Sequence, residues 1–116
     1  MPNEVLATLR DLAPLLVIDL HGEVTTFAEE AVAGADHQAS ERGARHILLN
    51  FGGVDYINSA GIAVIIGILT EARQHDQDLL ITGLTPHYGK IFHMMGLTQY
   101  APLFESEEAA RRSITA

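Results

Sequence analysis

The amino-acid sequence predicts an α/β fold in which a mixed β-sheet is flanked by α-helices. Three observations predict it. Apolar runs of strand length occur at "PLLVIDLHGEV", "HILLNF" and "DLLITG". The segments between them repeat their apolar residues with a helical period. Those segments are also long enough to cross over a sheet and return to a parallel neighbour.

Taken in order, Val5 to Arg10 reads as a first, weaker strand. Pro14 to Val24 is a strong one, rich in β-branched and aliphatic residues and ended by Gly22. Pairing of these two makes the sheet mixed rather than purely parallel. "TTFAEEAVAGADHQASERG" is a helix, with Thr26 and Glu29 at capping-box spacing and Gly43 where a C-cap belongs. Phe27, Val32 and Ala35 supply its inner face. His46 to Phe51 is a strand buried on both faces, and "GGVDYIN" is its exit loop. From Ala60 to about His75, Ile62, Ile65, Ile66 and Leu69 follow i, i+3, i+4, i+7. Val64 and Ile68 widen that stripe, so this helix packs on the sheet with little exposed. Asp78 to Gly83 is the next strand. A helix then starts near Pro86 and stops at Gly96. "TQYAPLF" adds a short edge strand, and Ser106 caps a last helix, "SEEAARRSI".

The 116 residues suit one domain, spanning 1–116. With 47% hydrophobic and 19% charged residues, the composition is that of a globular chain rather than a disordered one. Fifteen acidic against seven basic residues give a net charge of −8. That balance argues against nucleic acid, whose binding rests on clustered Lys and Arg, and against an anionic membrane surface. It suits a partner carrying a basic patch. Cysteine is absent, which excludes disulfides and thiol catalysis and fits a reducing cytoplasm. The N-terminal stretch lacks the basic-then-apolar order of a secretory signal, and the longest apolar stretch, Ala60 to Leu69, is about half a membrane span. No direct membrane insertion is expected.

"DYINSAGIAVII" carries the functional question. Ser59 falls where the loop after a buried strand enters a helix, at a point where backbone N–H groups are unpaired and partial charge is positive. A hydroxyl there serves as a cap, and a phosphate there meets the same donors. Gly61, without a Cβ, leaves the backbone beside Ser59 open to an approaching partner. Position and neighbours suit both readings.

Three pieces of the chain, in order, resemble the STAS domain, the family of bacterial anti-sigma factor antagonists. "VIDLHGEVT" resembles the family's second strand with its Gly-Glu turn. "HILLNFGGVDYINSAGIAVIIG" resembles its central strand, loop and helix, and "KIFHMMGLTQYAPLFESEEAA" its ending. The resemblance spans about Leu15 to Ala109 and implies a single-layer mixed sheet whose central helix follows the Ser59 loop. It implies that Ser59 matches the serine phosphorylated by a partner kinase and Gly61 the motif glycine. Asn58 stands where the family usually has Asp, and Ala60 where a second Ser or Thr is common. By the same resemblance, the unmodified protein binds an anti-sigma factor that is also a serine kinase, phosphorylation ends the binding, and a phosphatase restores it. The expected contact surface comprises Gly22, Glu23, Val24 and Thr25 with Tyr56, Asn58, Ser59, Ala60 and Gly61. Ile57 is expected in the core.

Such a protein is a substrate of a kinase rather than an enzyme, and no cofactor of its own is implied. Its rivals are a non-phosphorylated scaffold or adaptor STAS domain, an accessory subunit of a lipid-transport ATPase, and a direct binder of a nucleotide or other small ligand. The six histidines form no zinc-protease pair, "NSAG" lacks the glycine that precedes a hydrolase nucleophile, and no phosphate-binding loop is present. Phe92, Met95 and Leu97 are expected in the core, and the acidic "FAEE" and "FESEE" at solvated helix starts.

Overall fold

The protein is described by a computed structural model, in which residues 5–26 and 28–115 are described. Strand β1 (Leu6–Leu12) turns through Ala13 and a cis Pro14 into β2 (Leu15–Val24). Helix α1 (Ala28–Glu41), β3 (His46–Ile57), α2 (Ser59–Gln74) and β4 (Asp78–Thr82) follow. Helix α3 (Pro86–Met94), a 3₁₀ turn at Leu97–Gln99, β5 (Leu103–Phe104) and α4 (Glu107–Thr115) complete the chain. The strands lie in sequence order, with β1 antiparallel to β2 and every later pair parallel. The sheet is mixed, as its sequence pattern predicts.

Alternation along the strands divides the core in two. Leu16, Ile18 and Leu20 of β2, Ile47, Leu49 and Phe51 of β3, and Leu79 and Ile81 of β4 face one way. Over them lie Val32, Ala35 and Ala39 of α1, Ile62, Ile65 and Leu69 of α2, and Phe92 of α3. Phe51 and Phe92 meet edge to face with centroids 5.9 Å apart. Leu15, Val17, Leu48 and Leu80 face the other way, onto Ala110 of α4, Phe104 and Ile114. Phe27, assigned to the inner face of α1 from its spacing, lies outside the described residues.

Helix α4 is clasped to that second face by ions. Arg10 of β1 binds Asp19 of β2 at 2.9 Å and also pairs with Glu107 at the start of α4. The Asn50 side-chain amide donates to Asp19 at 2.8 Å. The Arg10 guanidinium holds the Asp19 carboxyl below the usual carboxylate range although burial opposes it. Glu107 is therefore anchored rather than simply solvated, whereas Glu29 and Glu30 at the start of α1 are exposed as expected.

Two expectations change. "GGVDYI" is not an exit loop, because β3 continues to Ile57. Strand β2 is long enough to keep pairing with it, and register shifts between Asp19 and His21 and between Gly22 and Glu23 absorb the irregularity. Met95 is not core. Helix α3 ends at Met94 and Gly96 adopts φ 78°, so Met95 falls at the cap and is 52% exposed, while Phe92 and Leu97 are buried.

Candidate functional site

The β3 extension builds the site. Its pairing sets Glu23 beside Tyr56 and Val24 beside Ile57, so the two segments singled out in the sequence lie side by side at the same end of the sheet. From there Asn58 leaves the strand in extended conformation (φ −98°, ψ 178°) and α2 begins at Ser59.

Asn58, not Ser59, is the N-cap. Its side-chain oxygen accepts the Gly61 N–H at 2.8 Å, and the Asn58 carbonyl accepts the Ile62 N–H. Ser59 is thereby the first residue of the helix, exposed, and its hydroxyl has no hydrogen-bond partner among the described residues. Of the two readings left open in the sequence, the cap falls to Asn58 rather than to Ser59.

The junction is fixed from three directions. The Asn58 N–H donates to the Val24 carbonyl at 3.2 Å. The Ile57 N–H donates to the Tyr88 hydroxyl at 3.1 Å, tying the strand end to α3. Gly61 is buried against β2, where an added Cβ would stand 1.9 Å from the Val24 carbonyl oxygen. The open side that its missing side chain leaves is thus filled by the protein's own backbone. Val24 and Gly61 are buried, so they position the surface without presenting side chains to it. Ile57 is core, at 4% exposure, while Tyr56 is 47% exposed.

The exposed rim comprises Tyr56, Ser59 and Ala60 with Asp55 beside them, and Gly22, Glu23, Thr25 and Asn58 are partly covered. Its two charged residues, Glu23 and Asp55, are both acidic. A phosphate on Ser59 would meet unpaired N–H groups of the first turn but no basic side chain of this rim. Tyr88 escaped sequence reasoning, since nothing in its spacing ties it to Ile57. Asn58 as cap was findable, because Asn ranks with Ser at that position.

The histidines are dispersed: His37 pairs with Glu41 at 2.8 Å, His46 approaches Asp78 at 3.3 Å, and His87 packs on Tyr88. Among the described residues no helix is long and apolar enough to cross a membrane.

Comparison with known proteins agrees with this geometry. Residues 6–110 match the family model described as the STAS domain. The anti-sigma-B factor antagonist of Staphylococcus aureus is 32% identical over 91 residues, covering 78% of this chain and 84% of the relative. An anti-sigma factor antagonist from Mycobacterium paratuberculosis superposes with a TM-score of 0.82 at 15% identity, covering 100% of this chain and 98% of that one. The Bacillus cell fate determinant SpoIIAA in its phosphorylated form superposes with a TM-score of 0.67 at 25% identity, covering 92% and 98% of the two chains.

Proposed function

The chain belongs to the STAS domain family, with the anti-sigma factor antagonists, and we propose that it binds an anti-sigma factor under the control of phosphorylation at Ser59. The observation that carries the proposal is the exposed Ser59 hydroxyl, released from capping by Asn58 at a helix start. The solved phosphorylated form of the Bacillus relative adds support.

The mechanism is local. The unmodified rim offers Tyr56 as an apolar contact surrounded by small and polar groups, and the partner docks over Ser59. That partner is a serine kinase as well as an anti-sigma factor, and ATP belongs to it. Transfer of the ATP γ-phosphoryl group to the Ser59 oxygen, with the hydroxyl proton released, leaves ADP and a phosphoserine carrying about −1.5 to −2 charges. Beside Glu23 and Asp55 that charge has no cation of this rim to pair with, so its bulk and its desolvation cost oppose the contact. A loss of about 3 kcal/mol is roughly a hundredfold in affinity, enough for a switch. The tight junction around Asn58 and Gly61 means that the fold need not move. A phosphatase reverses the step, and all of it takes place in the cytoplasm without nucleic acid.

The test is intact-mass analysis after incubation with the candidate kinase and ATP, with the added phosphate mapped to Ser59. In calorimetry, Ser59→Asp is expected to lose roughly a hundredfold in affinity for the anti-sigma factor, while Ser59→Ala binds like the unmodified protein. Asp is well tolerated in a first helical turn, so that loss reports on the interface rather than on folding. Equal affinities for the two variants would refute the switch. Stable assembly without any phosphate on Ser59 would favour a scaffold.

A further inference from the structure

Where α3 ends, the chain presents apolar surface to solvent. Met94 is 74% exposed, Met95 52% and Tyr100 46%, and all three lie around the turn at Gly96. The last turn of α2 supplies Arg73, whose guanidinium lies 5.2 Å from the centroid of the Tyr100 ring. Beside that pair opens a cleft of about 370 Å³ walled by Arg73, Leu80, Gln99, Tyr100, Pro102 and Ile114. Lys90 stands one turn before Met94 on α3, at the i, i+4 spacing that puts both on one face. Arg73 and Lys90 are exposed and form no ion pair among the described residues, whereas Arg10, Arg111 and Arg112 each have one.

We propose that this corner docks an acidic, amphipathic segment of a partner protein, with an apolar side chain seated in the cleft beside Tyr100 and carboxylates facing Arg73 and Lys90. Clustered exposed apolar side chains, unlike single ones, mark interaction sites. Methionine, tyrosine and arginine are also enriched in protein–protein contacts, and methionine adapts its shape to what packs on it. Charge selects the kind of partner. On a chain of net charge −8, this corner offers two cations without carboxylate partners among the described residues. Asp78, the acidic residue of the cleft walls, approaches His46 at 3.3 Å. At physiological salt, charges are screened beyond about 8 Å, so the near cations outweigh the distant acids. Stacking on Tyr100 holds Arg73 in place before contact, which lowers the entropy lost on binding. Ser59 begins α2 and Arg73 lies in its last turn, about 21 Å along the axis. A partner here therefore leaves the Ser59 rim accessible, and the surface does not rest on the Ser59 proposal.

The test is a titration of the full chain, labelled at its methionine ε-methyl groups, with a synthetic helix. That helix carries leucine and phenylalanine on one face and glutamate on the other. Saturable shifts of the Met94 and Met95 methyl signals are expected. A version with lysine in place of each glutamate is expected to bind roughly tenfold more weakly. By fluorescence anisotropy of the labelled acidic helix, Arg73→Glu is expected to weaken binding roughly tenfold, and a double Met94→Ser, Met95→Ser variant by as much. Arg42→Glu, an equal change of charge at another exposed position, is expected to leave it unchanged. Melting curves check that each variant folds. No saturation by about 1 mM, equal binding of the two helices, or equal binding by Arg73→Glu and Arg42→Glu would overturn the proposal. Methyl shifts with vesicles of phosphatidylcholine and phosphatidylglycerol but none with the acidic helix would assign the corner to an anionic membrane surface, and would overturn it as well.

Discussion

Helix α2 has two ends of opposite character. At its N-terminus the strand-to-helix junction is tied on several sides while the Ser59 hydroxyl stays free: Asn58 caps Gly61, Asn58 and Ile57 donate to Val24 and Tyr88, and Gly61 lies against the β2 backbone. At its C-terminus a cleft remains open, and Asp36 and Gln77 keep acceptors without donors among the described residues. The difference teaches where this fold stores precision. The end that bears Ser59 is the tightly bonded one, so under the proposed switch a charge added there acts on the partner rather than on the fold. At the far end two buried acceptors lack donors among the described residues, so that end is the less fully satisfied of the two.

The sharpest way to break that comparison is one substitution made twice in the same helix. Gly61→Ala places a methyl group 1.9 Å from the Val24 oxygen and 2.6 Å from its carbonyl carbon, both of them backbone. A loss of about 3 kcal/mol in denaturant unfolding is expected, because a strand or a helix must shift. Gly67→Ala, nearly two turns on, meets nothing within 4 Å. The same change there is expected to gain up to about 1 kcal/mol, since alanine is the better helix former. Equal effects at the two positions would mean that the N-terminal junction is no tighter than the rest of α2.

The next effect in size separates cap from modification site. Asn58→Ala is expected to cost about 1 kcal/mol in thermal or denaturant unfolding, the usual value of a lost N-cap. Asn58→Asp is expected to hold or slightly raise stability, because Asp caps as well and favours the helix dipole. If Asn58→Ala proved neutral while Ser59→Ala cost the same 1 kcal/mol, Ser59 would be the working cap. The free hydroxyl on which the switch rests would then be lost.

The asymmetry of α2 also marks what was readable in advance. The continuous apolar runs "LLVIDL" and "HILLNF" and the i, i+3, i+4, i+7 stripe of α2 are written locally, and they specify the strands, their order along the chain and the core. The continuation of β3 through Gly52 and Gly53 was not readable, since two glycines signal a loop and only the length of β2 makes a strand of them. Asn58 and Ser59 are both good caps, and the choice between them is made by the backbone turning into the helix after Asn58. Spacing placed Met95 with Phe92 and Leu97, but the turn at Gly96 breaks the helical register between them. The Asp36 and Gln77 cleft left no trace at all, because its residues come together only when two helix ends meet across the fold.

The smallest effect bears on the loose end and has the sign produced by a carboxyl raised by burial and a neighbouring negative charge. The folded state holds the Asp36 proton at a pH where an unfolded chain, near the usual 3.8, has released it. The ionised group therefore costs stability, and the cost grows as pH rises from about 3.8 through the raised folded value. Glu71 adds to it, and His75 and His37 offset part of it. Asp36→Asn is expected to raise stability at neutral pH by less than about 1 kcal/mol and to lose that advantage in acid. Asp19 runs the opposite way: its carboxyl is held low by Arg10, so its contribution is present above 3.8 and fades as pH falls toward its depressed value. Melting curves of Asp36→Asn across pH would thus diverge upward from the unmodified protein, and an Asp19→Asn series would diverge downward. Were Asp36→Asn to lose stability at neutral pH, Asp36 would have a partner in solution, and the two ends of α2 would be alike after all.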